Sequence, residues 1–160
     1  MAQRPSFDMT KLSTADKIIL GAGILYFIDL FLTWNRKCFA LLPGTKTCPS
    51  VSGWHGIGIL TGLLVIALLV WEGALAAGVQ INTGTIGKGL VSLVLAAALL
   101  LFTLLRVLIK PSAILFNLSV YIWGWIGLIL AVVIAYGGFM RWQQDQVGGV
   151  PPAGPPGYTP

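Results

Sequence analysis

The sequence predicts an all-α integral membrane protein, a bundle of four antiparallel transmembrane helices, on three observations. Of the 160 residues 56% are hydrophobic and 9% are charged, and the mean hydropathy is +0.86; an average soluble domain carries roughly 25% charged residues. Four long apolar segments follow one another, with helices expected at about 14–34, 54–78, 86–109 and 113–140, and about 20 apolar residues suffice to cross a hydrocarbon core about 30 Å thick. Only one sizeable hydrophilic loop, 35–53, interrupts them. The runs are too continuous for a β-barrel, whose strands alternate over roughly ten residues, and a helix meets the demand of lipid that every backbone polar group be satisfied within the segment.

Residues 1–13 read as a short cytoplasmic tail. Ser13 followed three residues later by Asp16 is a capping-box pattern, so the first helix starts near Thr14. Its run ends in Thr33-Trp34-Asn35-Arg36-Lys37 rather than in small residues, so it is retained as a helix and not removed as a signal peptide. The loop 35–53 holds Arg36, Lys37 and Lys46, no acid, and both cysteines. Asn82 and Gly84 mark a short link between the second and third helices, and Pro111-Ser112 a tighter one between the third and fourth; links this short make successive helices antiparallel neighbours. Residues 141–160 are expected to form a disordered Pro/Gly-rich tail. Within it Pro155-Pro156-Gly157-Tyr158 matches the pattern read by WW domains, against the plainer reading of a solubilising tail.

Flanking charge does not decide the orientation. Arg4, Lys11, Lys17, Lys88 and Arg141 fall on one side, and Arg36, Lys37, Lys46, Arg106 and Lys110 on the other. Cys38 and Cys48 in one short loop suit a disulfide on an oxidising face. That makes 35–53 extracytoplasmic and sets both termini in the cytoplasm of a cell-membrane protein; two free thiols in a cytoplasmic loop are the alternative. His55 adds only a third ligand to the two cysteines, with no acid nearby, so no metal is expected.

Asp29 interrupts the apolar stretch LYFIDLFLTW, five residues before Trp34, and Arg106 lies five residues before Pro111 at the matching end of the third helix. An ion pair between them is the expectation, because a lone charge near the bilayer centre costs at least about 2.5–3.5 kcal/mol. Toward the opposite face Glu72 is expected to meet Lys88 across the short link. Embedded ionisable groups also mark proton or ion paths, so both acids remain transport candidates. On the second helix Gly58, Gly62, Val65, Leu69, Glu72 and Ala76 recur at spacings of four and three, putting small residues and the glutamate on one stripe; the third offers Gly89, Ser92, Ala96, Thr103 and Arg106, and the fourth Asn117, Tyr121, Gly124, Ala131, Ala135 and Gly138, at spacings of three, four and seven. They predict the bundle interior, where small residues let membrane helices approach, with a homodimer seam as the alternative. Trp34, Trp54, Trp71 and Trp142 are expected at headgroup level, and Trp123 and Trp125 packed deeper in the fourth helix.

With one histidine, no acid cluster, no Gly-rich phosphate loop and no nucleophile beside a base, the expectation is a non-enzymatic protein without a cofactor. The net charge of +5 is accounted for by basic residues flanking membrane helices, and no nucleic-acid partner is expected. Asn117-Leu118-Ser119 is a glycosylation sequon, but inside the fourth helix it is expected to be closed to modification. The expected role is an accessory or scaffold subunit of a membrane complex, in contact with membrane lipid and with another membrane protein or its own copies. The alternatives are a small oligomeric transporter or channel using Asp29 or Glu72, and a redox-cycling sensor using Cys38 and Cys48.

Ala15-Asp16-Lys17, the acid embedded in the first helix, Ser52-Gly53-Trp54-His55-Gly56 and Trp71-Glu72 resemble small uncharacterised four-helix membrane proteins of actinobacteria over about residues 14–140. The resemblance implies the helical fold and no particular activity. A tryptophan followed by two cysteines is also similar to the claudin arrangement, but the loop lacks the Gly-Leu-Trp element and is expected to be too short for a claudin-like sheet.

Overall fold

The computed structural model describes residues 12–79, 87–109, 112–113, 116–117 and 119–148. The expected N-terminal tail up to residue 11, the turn residues Asn82 and Gly84, and the end of the tail with Pro155-Pro156-Gly157-Tyr158 lie outside the described residues. Among the described residues there are four helices: α1 (Thr14–Asp29), α2 (Gly58–Ala76), α3 (Lys88–Leu108) and α4 (Ile122–Gly148). Three of them, α2, α3 and α4, are long and apolar enough to cross a membrane.

Helix α1 begins where the capping pattern places it. The Ser13 hydroxyl accepts from the Asp16 N–H at 3.2 Å, and the Asp16 carboxylate accepts from the Ser13 N–H at 3.0 Å, satisfying two of the donors a helix start leaves open. It ends five residues earlier than expected. With 16 residues it spans about 24 Å at 1.5 Å per residue, short of a hydrocarbon core about 30 Å thick. The Trp34 indole N–H donates at 3.0 Å to the Asp29 carbonyl, and Gly53 donates to the Leu32 carbonyl at 3.2 Å, so the chain folds back instead of continuing. Threonine and tryptophan at 33 and 34 favour an extended backbone, and Thr33–Arg36 is strand β1.

The expectation of a purely helical fold is therefore corrected. The first loop contains β2 (Phe39–Leu42), β3 (Thr45–Thr47) and β4 (Ser50–Ser52), and the α3–α4 connection contains β5 (Ser112–Ala113), β6 (Phe116–Asn117) and β7 (Ser119–Val120). Strand β1 lies between β4 and β7, antiparallel to both, with Asn35 opposite Val51 and Val120. Strands β2 and β3 form a hairpin whose turn contains Gly44 at φ +93°, a conformation glycine reaches without strain. The first loop supplies the two strands of a hairpin, β2 and β3, and one sheet edge, β4, and β7 arrives from the other connection to complete the three-stranded layer. Cys38 and Cys48 are disulfide-bonded, tying the two ends of the hairpin.

The α3–α4 connection is longer than Pro111-Ser112 alone suggested, because α4 starts nine residues later than expected. Asn117 consequently sits in β6, not in a helix. At its other end α4 runs to Gly148, so Arg141 and Asp145, expected in a disordered tail, are helical.

Each helix packs on the next, and α4 packs back on α1. Ile19, Tyr26, Leu30, Trp34, Val65, Leu68, Leu99, Ala131 and Ile134 form the fully buried centre. On α3 every residue of the predicted interior stripe, Gly89, Ser92, Ala96, Thr103 and Arg106, is buried. On α4 the stripe holds at Gly124, Ala131 and Gly138, with Gly127 and Gly137 added, whereas Tyr121 is exposed. Trp34 is fully buried within the protein, and Trp123 and Trp125, expected to pack, are exposed in the first turn of α4.

Helices α3 and α4 come close at Gly89. A Cβ there would lie 2.8 Å from the Arg141 carbonyl oxygen and 2.9 Å from the Trp142 Cα, both main-chain atoms that cannot turn aside, whereas a Cβ at Gly73 of α2 meets nothing within 4 Å. Gly89→Ala is expected to lower the unfolding temperature in detergent, despite the gain of up to about 1 kcal/mol in helix propensity. Gly73→Ala is expected to leave that temperature unchanged or raise it.

Candidate functional site

Two buried polar centres occupy opposite ends of the helices. At the sheet end, the last turn of α3 carries Arg106, 6% exposed. Its Nη2 donates to the Ser52 carbonyl at 2.8 Å, and its Nη1 donates to the His55 carbonyl. The guanidinium carbon lies 5.2 Å from the centroid of the Trp34 ring, a cation–π separation. Gly58 makes this possible: a Cβ at the start of α2 would collide with Nη1 of Arg106 and with the Gly53 carbonyl. A planar fork suits the task, because two carbonyls of one turn take two parallel N–H groups. The charge also sits at the negative end of the α3 dipole.

Trp34 links this centre to the rest. Its carbonyl accepts from the Tyr121 N–H at 2.7 Å, just before α4, and its ring meets Tyr26 edge-on at 6.1 Å. The Tyr26 hydroxyl is 2.7 Å from the Thr103 hydroxyl, which donates to the Leu99 carbonyl at 2.7 Å. The single Thr103 proton is thereby used, so Tyr26 is the donor and ties α1 to α3 across the interior.

Asp29 lies at the same end, 4% exposed, but the expected ion pair with Arg106 is not formed. Among the described residues no salt bridge joins them, and neither Asp29 carboxylate oxygen accepts a hydrogen bond. The carboxylate faces α4 at Gly127, whose Cβ position would fall 2.6 Å from Asp29 Oδ2. Arg106 has turned toward the loop and the start of α2. The two charges share Trp34 as a neighbour without meeting.

At the other end, Arg141 of α4 pairs with Asp16 of α1 and lies 3.5 Å from Glu72 of α2. Asp145, one turn further, accepts from the Gly89 N–H at 2.6 Å and so closes an open donor at the start of α3. Trp71 donates to the Ser92 hydroxyl at 3.2 Å, and that hydroxyl donates to the Lys88 carbonyl at 3.3 Å. The expected partner of Glu72, Lys88, is therefore replaced by Arg141: the Lys88 side chain makes no ion pair among the described residues, and α4 reaches further than expected and brings its own cation. Four helices converge on Arg141 and Asp145. Comparison with known protein families, with curated proteins and with solved structures returns no match.

Removing one member of a buried charge pair costs about 3–5 kcal/mol. Arg141→Gln is expected to destabilise the chain by that order, since Asp16 and Glu72 lose their cation together, and Arg141→Gln with Glu72→Gln is expected to recover part of the loss. Lys88→Gln is expected to change stability by less than about 0.5 kcal/mol. For Asp29→Asn with Arg106→Gln, the double variant is expected to show no rescue over Arg106→Gln alone. Thermal unfolding in detergent reads all four comparisons.

Proposed function

We propose that the chain is a four-helix transmembrane bundle with both termini in the cytoplasm, acting as a non-enzymatic scaffold subunit that presents a rigid basic platform to a partner membrane protein. The carrying observation is the double hydrogen bond from Arg106 to the Ser52 and His55 carbonyls, which fastens the first loop to the bundle from inside. The disulfide of Cys38 with Cys48 restrains the same loop. Arg36, Lys37 and Lys46 are exposed on it, with no acid in 35–53. A binding surface held rigid before contact loses less freedom on association, and positive charge of one sign speeds encounter with an acidic face. The buried Arg106 and Glu72 and the half-buried Arg141 are engaged in holding elements together, which favours a structural role over a relay.

A second reading rests on Asp29 alone, whose buried carboxylate has no hydrogen-bonding partner among the described residues: a small transporter in which that group carries a proton or cation. Glu72 drops out of this reading because Arg141 is beside it.

Purification of the tagged chain from its native membrane in mild detergent tests the scaffold reading. A stoichiometric companion is expected, and Arg36→Gln, Lys37→Gln and Lys46→Gln together are expected to release it while leaving the unfolding temperature unchanged. Absence of any companion, with pH-driven flux in liposomes that falls on Asp29→Asn, would replace the scaffold by the transporter.

A further inference from the structure

Between α1 and α2, on the outer side of the bundle, runs a groove of about 550 Å³. Ile24 and Gly21 of α1 and Leu69 and Gly73 of α2 line it, and Leu12 and Lys17 stand at its end. Gly21 and Gly73 form open floor: a Cβ on either meets nothing within 4 Å. Beside this floor the two helices touch, since a Cβ at Gly23 would lie 2.8 Å from the Leu69 side chain. From Lys17 to Ile24 the groove extends about 10 Å along α1 at 1.5 Å per residue. It is thus an apolar slot with a cation at its end.

Lys17 lies in the first turn of α1, is exposed, and makes no ion pair among the described residues. A lysine at the end of a membrane helix extends its ammonium to headgroup level. Apolar slots between membrane helices that end in basic groups on the cytoplasmic side suit anionic headgroups. The volume lies within the roughly 300–1,000 Å³ of pockets that hold a small ligand. With both termini in the cytoplasm, as proposed above, the Lys17 end opens in the cytoplasmic leaflet, and the disulfide lies at the opposite end.

We infer that the groove between α1 and α2 is a binding site for one anionic phospholipid, with an acyl chain laid over Gly21 and Gly73 and the phosphate at Lys17. The site rests on the membrane placement of the helices and is independent of the scaffold role, since the basic loop takes no part in it. A zwitterionic phospholipid offers the same chain without net charge, so headgroup preference reports Lys17 and occupancy reports the slot.

The full-length chain is purified in mild detergent after reconstitution with equal amounts of phosphatidylglycerol and phosphatidylcholine of one chain length, and retained lipid is counted by native mass spectrometry. Wild type is expected to keep one phosphatidylglycerol. Lys17→Gln is expected to lower the preference for phosphatidylglycerol about fivefold, the factor matching about 1 kcal/mol per basic residue near an anionic surface. Gly21→Leu with Gly73→Leu is expected to empty the site while preserving the unfolding temperature. Equal retention of the two lipids by wild type, or undiminished lipid on the filled slot, would overturn the proposal. So would a wild-type dimer that carries no lipid and separates when the slot is filled, since the groove would then be a helix seam. Should the leucine pair fail to fold, an unchanged preference in Lys17→Gln overturns it alone.

Discussion

A guanidinium buried at the end of a membrane helix has to be met by negative charge, because an uncompensated cation in hydrocarbon costs several kcal/mol. Here the compensation comes from main-chain carbonyls rather than a carboxylate. Arg106 reaches two oxygens of the turn between β4 and α2 and lies over the Trp34 ring. Those contacts decide where α2 starts, why Gly58 has no side chain, and how the first loop sits on the helices. Trp34 extends the same network: its indole takes the last carbonyl of α1 and its own carbonyl receives Tyr121 ahead of α4. One cation and one indole therefore join all four helices and the sheet at that end.

The opposite end is built with the usual chemistry of charge pairs. Arg141 meets two carboxylates from two helices, and Asp145 completes the exposed start of α3. Small residues let the backbones come close enough for these short bonds, among them Gly89 against α4. Burial from lipid supplies no hydrophobic drive between helices, so packing and polar contacts must carry the association. The two ends do this differently, and among the described residues Asp29 is left a buried acid with neither a hydrogen bond nor an ion pair to its carboxylate, whereas Glu72 has Arg141 beside it.

Much of this was legible in the residues and some of it was hidden for definite reasons. The start of α1 followed from Ser13 and Asp16, and the α3 interior from its three-and-four spacing, because both are local patterns read within a few residues. The end of α1 was not, since Leu30, Phe31 and Leu32 are as apolar as the helix before them and only the long-range contacts of Trp34 and Gly53 stop it. Strands of two to four residues are too short to show alternation, and β1 is completed by β7 from eighty residues away in sequence, roughly. Asp29 and Arg106 do lie at one end of the helices beside Trp34, but that does not specify azimuth: one faces α4 and the other α2. Arg141 was readable. Ala131, Gly138, Arg141 and Asp145 continue one spacing of seven, three and four, a signal masked by grouping residues 141–148 with the Pro/Gly tail that follows.

The most direct test of the account is hydrogen–deuterium exchange on the chain in lipid nanodiscs, comparing wild type with Arg106→Gln. Hydrogen bonds to a charged group contribute about 1.5–3 kcal/mol each, so the amides of residues 33–36 and 50–53 should exchange at least about tenfold faster in the variant while residues 92–103 keep their protection. Unchanged protection of those strands would contradict the claim that a buried arginine fastens the loop to the helices.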